Sequence, residues 1–293
     1  MSSTFIWVWM VGLVGAVLAR KGPLGIQWSR GRSANLVCTR RAADKAPRIW
    51  LAAHLDSKSQ AIPMLVRVAS VAAFGVLLGT MMVALLAMWI MSAREGAVTP
   101  VTDLRLRHFI EAASILAALS LLPMILCFVG NRSPGAADNA SGVAAVLLAA
   151  ERLGHRDDVG VLITSAEELA LAGARAFTRE TRGRPMVINC DTVDDDGQFI
   201  CMSKGWKPER LVTAVEKAAS QLGIEARVTR MLPGVLADNV AFTDAEWQSV
   251  TISRGNLGTL ARVHTSGDRP VRISGVGVAQ AARLLAATIE ELA

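Results

Sequence analysis

Val159-Gly-Val-Leu-Ile-Thr-Ser-Ala-Glu-Glu-Leu-Ala-Leu-Ala-Gly173 is the stretch on which the reading of the fold turns. Its first six residues, through Thr164, form a short, apolar, β-branched run, the pattern of a compact buried strand. Leu169 to Phe177, just beyond it, is helical in character. Two adjacent acids, Glu167 and Glu168, stand at the junction. Neighbouring carboxylates repel unless a cation or a proton compensates them. Either one ligates a metal while the other moves a proton, or both are N-terminal helix acids favoured by the dipole. The segment alone leaves both readings open.

The same alternation extends in both directions. Ala34 to Cys38, Arg48 to Ala53, Met186 to Asn189, Glu225 to Met231 and Ser249 to Ser253 read as strands. Ser141 to Leu153, Pro208 to Leu222 and Ser274 to Leu292 read as helices, with Ser274 as an N-cap. Strands alternating with helices predict an α/β domain, a largely parallel mixed sheet with helices on both faces.

The 293 residues are 52% hydrophobic, with a mean hydropathy of +0.38. That is too apolar for an ordinary soluble domain, so membrane segments are expected. Val68 to Met91 and Phe109 to Val129 are each long enough to cross a bilayer as a helix. Phe5 to Ala19 is shorter and reads as an anchor, or else as the apolar core of a signal peptide. Four segments follow: an anchor with its basic flank (1–32), a first part of the catalytic domain (33–60), an inserted transmembrane hairpin (61–130) and the remainder of the domain (131–293). Two crossings return the chain to the side it left, as one folded domain requires. The net charge of +6 is scattered, with no aromatic-interleaved basic patch, so nucleic acid is not an expected partner. Arg20, Lys21, Arg30, Arg32, Lys58 and Arg132 flank the spans on the domain side, against Arg94, Arg105 and Arg107 in the hairpin loop. This tilts the domain toward the cytoplasm, whereas a cleaved signal would place it outside. Cys38, Cys127, Cys190 and Cys201 form no C-x-x-C pair and read as free buried thiols. Nothing in the sequence sets an oligomeric state.

Four further segments carry polar residues at strand ends, where open α/β sheets gather their ligands. His54, in Ala53-His-Leu-Asp56, is a metal ligand with Asp56 to orient its ring, or a surface histidine. Asp138, in Pro134-Gly-Ala-Ala-Asp-Asn-Ala-Ser-Gly142, bridges two cations, or it or Asn139 caps the following helix. Asp191 follows a strand, while Asp194, Asp195 and Asp196 read as a solvated loop. His264 opens His264-Thr-Ser-Gly-Asp268.

In this order, H-x-D, G-x-x-D-N-A-S-G, E-E, D and H-T-x-x-D, the segments resemble metallopeptidase family twenty-eight, the two-zinc exopeptidases. Asp238-Asn-Val-Ala-Phe242 and Glu167 through Phe177 extend the resemblance. It implies that His54 and Asp191 hold one metal, Glu168 and His264 the other, and that Asp138 bridges both. Glu167 is then the general base and Asp56 orients His54. The implied cofactor is two zinc ions, or cobalt or manganese, and the implied substrate a peptide cleaved by a metal-activated water. A glutaminyl cyclase working with one metal and a non-catalytic receptor are the alternatives on this fold. The chain departs from the family pattern in its short lead-in to the first strand, from a trimmed edge or an incomplete gene product, and in the hairpin between His54 and Asp138. Ala137 stands for a usual acid and Ala170 for a usual glycine.

Overall fold

Ile49–His54, strand β2, is buried at every position, because its alternating side chains serve two cores. Ile49, Leu51 and Ala53 join one hydrophobic cluster, and Trp50 and Ala52 join another on the opposite face. The computed structural model describes residues 32–40, 46–94, 104–205, 207–231 and 235–293, with Trp9, Met10 and Leu13. Apart from those three residues, the Phe5–Ala19 stretch lies outside the described residues, as do Arg20, Lys21 and Arg30.

Around β2 lie β1 (Leu36–Cys38), β5 (Val159–Thr164), β6 (Met186–Val193), β7 (Gln198–Ser203), β8 (Ala226–Arg230) and β9 (Ser249–Gly255). The seven-stranded sheet runs β1-β5-β2-β6-β9-β7-β8. Its centre, β5-β2-β6-β9, is parallel. β1 and β7 pair antiparallel to β5 and β9, so the sheet is mixed. Helices α4 (Ser141–Arg152), α6 (Glu209–Leu222) and α9 (Val276–Glu290) cover one face. On the other face lie α5 (Ala172–Glu180) and α7 (Asn239–Asp244). There Trp50, Phe177, Trp247 and Phe242 form a chain of aromatic contacts with centroids 5.0–6.1 Å apart, within the favoured range for ring pairs.

The inserted segment is helical: α1 (Met64–Arg94), α2 (Leu104–Ser120) and the short α3 (Leu122–Ile125). Two stretches, Met64–Ile90 and His108–Ile125, are long and apolar enough to cross a membrane. Met81 packs on Ala113, and Phe74 on Ala117 and Leu121, so α1 and α2 run antiparallel. A two-stranded ladder closes the root: β3 (Ser59–Gln60) pairs antiparallel with β4 (Val129–Gly130). The apolar run expected through Val129 therefore ends earlier, broken by Leu121 and Pro123 and finished as strand.

Several expectations need correction. β6 extends to Val193, with an irregular register between Cys190 and Val193, so Asp191 sits inside the strand rather than after it. The acidic run is not a solvated loop. Asp194 is buried and accepts from Thr259 Oγ1 and Arg262 Nη2, both at 2.5 Å. Asp195 accepts from the Ser274 N–H and, at 2.9 Å, from the Gly277 N–H. It thereby caps α9 from a distant segment, alongside Ser274, whose Oγ accepts from the Val276 N–H at 3.4 Å; the N-cap position itself is Gly275. Asp196 is exposed. Cys127, Cys190 and Cys201 are buried, but Cys38 is exposed. Asp195→Ala is expected to cost about 1 kcal/mol, as loss of a helix cap does, and so to lower the melting temperature by about 2–4 °C. Asp196→Ala is expected to leave it unchanged, and equal effects in thermal unfolding would refute the cap.

Candidate metal centre

β2 ends at His54, β5 ends three residues before Glu167, and β6 carries Asp191. These parallel neighbours bring three of the candidate residues to one sheet edge. His54 Nε2 lies 3.1 Å from Asp138 Oδ1 and 3.4 Å from Asp191 Oδ1. His264 Nε2 lies 2.8 Å from Asp138 Oδ2 and 3.0 Å from Glu168 Oε1. The two oxygens of Asp138 thus face two different groups, His54 with Asp191 and Glu168 with His264. All five side chains are buried.

Local structure explains how Asp138 comes to face both groups. Asn139 Oδ1 accepts from the N–H of Gly142 and of Thr192, both at 3.1 Å. Its Nδ2 donates to Cys190 O at 3.0 Å. Asn139 therefore takes the capping contact at α4 and ties that helix to β6, leaving the Asp138 carboxylate free. A side chain at Gly142 would meet Asn139 Oδ1 at 2.1 Å and Cys190 O at 2.5 Å, so only glycine allows this approach. From the far side, Asp268 accepts from the N–H of Ala137 at 2.8 Å and of Asp138 at 3.1 Å.

Asp56 orients His54, but through its backbone. Its carbonyl oxygen lies 2.9 Å from His54 Nδ1, whereas its carboxylate is 3.8 Å from that nitrogen. The carboxylate instead accepts from the N–H of Glu167 at 3.0 Å and of Glu168 at 3.1 Å, holding the paired acids in place. Of the Asp56 acceptors, the carbonyl oxygen is therefore the one that meets the ring. The two acids precede α5 in a turn where Ala166, Ala170 and Leu171 have positive φ. At Ala170 the left-handed conformation costs about 1–2 kcal/mol more than it would for glycine. α5 begins only at Ala172, so neither acid is a helix residue.

Gln60 is the residue that pattern reading missed. Its Oε1 lies 3.0 Å from His264 Nδ1 and accepts from Arg67 Nη1 at 2.6 Å. Its N–H donates to His264 O at 2.8 Å. His264 itself has φ +62°, a strained conformation of the kind that gathers at functional sites.

The donor chemistry suits divalent cations. Imidazole nitrogens and carboxylate oxygens are zinc ligands, and donors about 2.0–2.2 Å from a tetrahedral ion lie roughly 3.3–3.5 Å apart. The observed separations run from 2.8 to 3.4 Å and reach that spacing between His54 and Asp191. Glu168 Oε1 is buried without a hydrogen bond, although His264 Nε2 is 3.0 Å away. Such poor alignment is expected where both atoms point at a shared third position. Asp138, Glu167, Glu168, Asp191 and Asp238 are buried together, with Lys58 paired to Glu168. Burial would depress both imidazoles, but the acids reverse it. His264 is raised to about 9 by Asp138 and Glu168, and Glu167, Asp191 and Asp138 hold His54 well above its ordinary value. Burial also pushes Glu167 well up, opposed by His54 and reinforced by Glu168, Asp191 and Asp238. Asp238, raised to about 7 by burial, accepts from Thr164 Oγ1. A cavity of about 580 Å³ opens over His54, Glu167, Glu168 and His264.

Residues 123–289 match the sequence model of peptidase family M28. The match begins after α1 and α2, so His54 and Asp56 join the cluster through the fold alone. No curated protein matches the chain. Among solved structures it is similar to BSAP, a zinc aminopeptidase from Bacillus subtilis, at a TM-score of 0.54 and 17% identity over 88% of this chain and 49% of that one. An aminopeptidase from Aneurinibacillus sp. strain AM-1 is similar at 0.54 and 15%, over 88% and 47%. The LapA aminopeptidase of Legionella pneumophila is similar at 0.53 and 13%, over 100% and 65%. The chain spans about half the length of the first two, and at these identities the likeness is one of fold.

The surrounding acids favour the protonated form of both imidazoles in the metal-free protein, whereas a ligating imidazole is neutral. Zinc binding at pH 7 is therefore expected to release protons, with affinity rising as pH climbs toward 9. Calorimetry in buffers of different ionisation enthalpy measures the release. Zinc uptake without it would contradict the assignment of the histidines as ligands.

Proposed function

The chain belongs to peptidase family M28, and on that premise we propose that it is a membrane-anchored, zinc-dependent exopeptidase of the aminopeptidase type. The observation that carries this reading is the division of Asp138 between His54 and His264, the geometry of a bridging carboxylate. In this reading His54 and Asp191 hold one ion, Glu168 and His264 the other, and Asp138 both. Ions bound there would supply Lewis acidity, making water more acidic and a scissile carbonyl more electrophilic.

The protein's own part is to hold the ligands and move a proton. Glu167 lines the cavity and belongs to neither ligand group. Burial and the neighbouring acids raise its pKa well above the ordinary carboxylate value, which suits a group that takes and returns a proton. The Glu167 carboxylate takes the proton of the attacking water and passes it to the leaving amine. Asp56 keeps Glu167 beside Glu168 through the two backbone N–H groups, and Gln60 keeps the His264 ring in plane.

Exposed apolar side chains support the membrane reading. Val76, Val83, Leu86 and Trp89 on α1 and Ile115, Leu116 and Leu119 on α2 are exposed, and bare apolar side chains gathered on one element mark an interaction or membrane surface. A hairpin crossing twice keeps residues 33–60 and 131–293 on one side. The basic flanks favour the cytoplasm for that side.

The zinc-loaded protein is expected to hydrolyse aminoacyl p-nitroanilides. Glu167→Gln is expected to lower the rate about 10²–10⁴-fold while retaining the zinc. Full zinc occupancy without hydrolysis of any peptide would sink the proposal, and cyclisation of amino-terminal glutamine in its place would establish the cyclase alternative.

A further inference from the structure

Met64 and Val68 belong to two parts of the molecule at once. They lie in the first two turns of α1, and they line the cavity that opens over His54, Glu167 and His264. Cys127 and Val129, at the opposite root of the inserted segment, line it as well. Met64 is also the first residue of the longer apolar stretch. From Met64 to Val68 the helix rises about 6 Å, so the cavity wall and the start of that stretch overlap. With α1 in a bilayer, the cavity mouth sits at the membrane surface rather than out in solvent.

The rest of the wall agrees in character. Leu236 and, from α8 (Leu257–Arg262), Leu257 and Leu260 line the cavity, and α8 packs on α1. Arg67, the cation of this part of α1, donates to Gln60. Leu257, on the cavity wall, and Phe128, between the lining residues Cys127 and Val129, are 68% and 70% exposed, as suits a surface facing lipid headgroups. The root is also stiff. The β3–β4 ladder and the Ala61 N–H to Phe128 O bond at 2.9 Å join its two ends, and Arg67 and Gln60 couple α1 to His264.

Resting on the exopeptidase reading, we propose that the cavity takes the apolar terminal residue of a peptide lying in the bilayer interface, with Met64, Val68, Cys127 and Val129 as its specificity-determining wall. Burial of a leucine-sized side chain favours binding about ten- to hundredfold. Partition of the remaining peptide into the same bilayer raises its local concentration further.

Photo-crosslinking tests this without relying on turnover. Full-length Glu167→Gln protein, loaded with zinc in lipid nanodiscs, is exposed to a peptide with a diazirine-bearing leucine at its amino terminus. Two versions share that terminus, one with an apolar membrane-seeking tail and one with a Gly/Ser tail. The expected result is crosslinks within residues 64–68 and 127–129, at least tenfold stronger from the tailed peptide. No crosslink, crosslinks confined to residues 200–264, or equal yields from both peptides would overturn the proposal. The unmodified protein is assayed for hydrolysis of the same peptides. Correct crosslinks without hydrolysis would refute the peptidase reading and leave this one standing.

Discussion

Asp138 lies between two imidazoles, 3.1 Å from His54 and 2.8 Å from His264, and the rest of the structure serves that placement. His54 and His264 come from opposite ends of the sequence, and one carboxylate joins them. To do so it must be buried and free of other hydrogen-bonding duties, which is costly for an anion. Asn139 makes this workable by taking the helix cap and the contacts to β6. Asp268 fixes the backbone on the other side. Removal of either support would leave a buried charge without a defined position.

The parallel centre of the sheet does the coarse placement. β5, β2 and β6 run side by side, so their carboxyl ends deliver Glu167, His54 and Asp191 to one edge with no long loop. Both faces of β2 are occupied by packed side chains, and a slip of one residue would exchange the two cores. The position of His54 is therefore set by hydrophobic packing well before its own chemistry matters. The inserted helices disturb none of this, because the β3–β4 ladder closes their root. Instead that root is part of the site, through Gln60 on His264 and through Met64 and Val68 on the cavity wall.

Much of this was legible in the residues. β5 and β2 declare themselves as short apolar runs ending in polar groups, and their pairing follows from strand–helix alternation. What stayed hidden was decided by distant partners. Nothing local distinguishes Asp138 from Asn139 as the helix cap, because the choice depends on Thr192 and Cys190. The Asp194–Asp196 run reads as solvent-facing, because Thr259, Arg262 and the α9 amino terminus are far away in sequence. β7 was missed, since its half-buried alternation follows directly on that run. α7 and α8, of six residues each, are too short to show a helical period. Gln60 carries no motif at all. Asp56 meets the His54 ring through its carbonyl while its carboxylate serves the Glu167–Glu168 turn, a division between two acceptors that the sequence leaves open.

The central claim is that one buried carboxylate is shared by two metal ions. X-ray absorption at the zinc edge, on protein loaded to saturation, tests it most directly. The account predicts two zinc ions per chain, nitrogen and oxygen ligands only, and a zinc–zinc distance of about 3.5–4 Å. A single zinc per chain, or two without that vector, would contradict it.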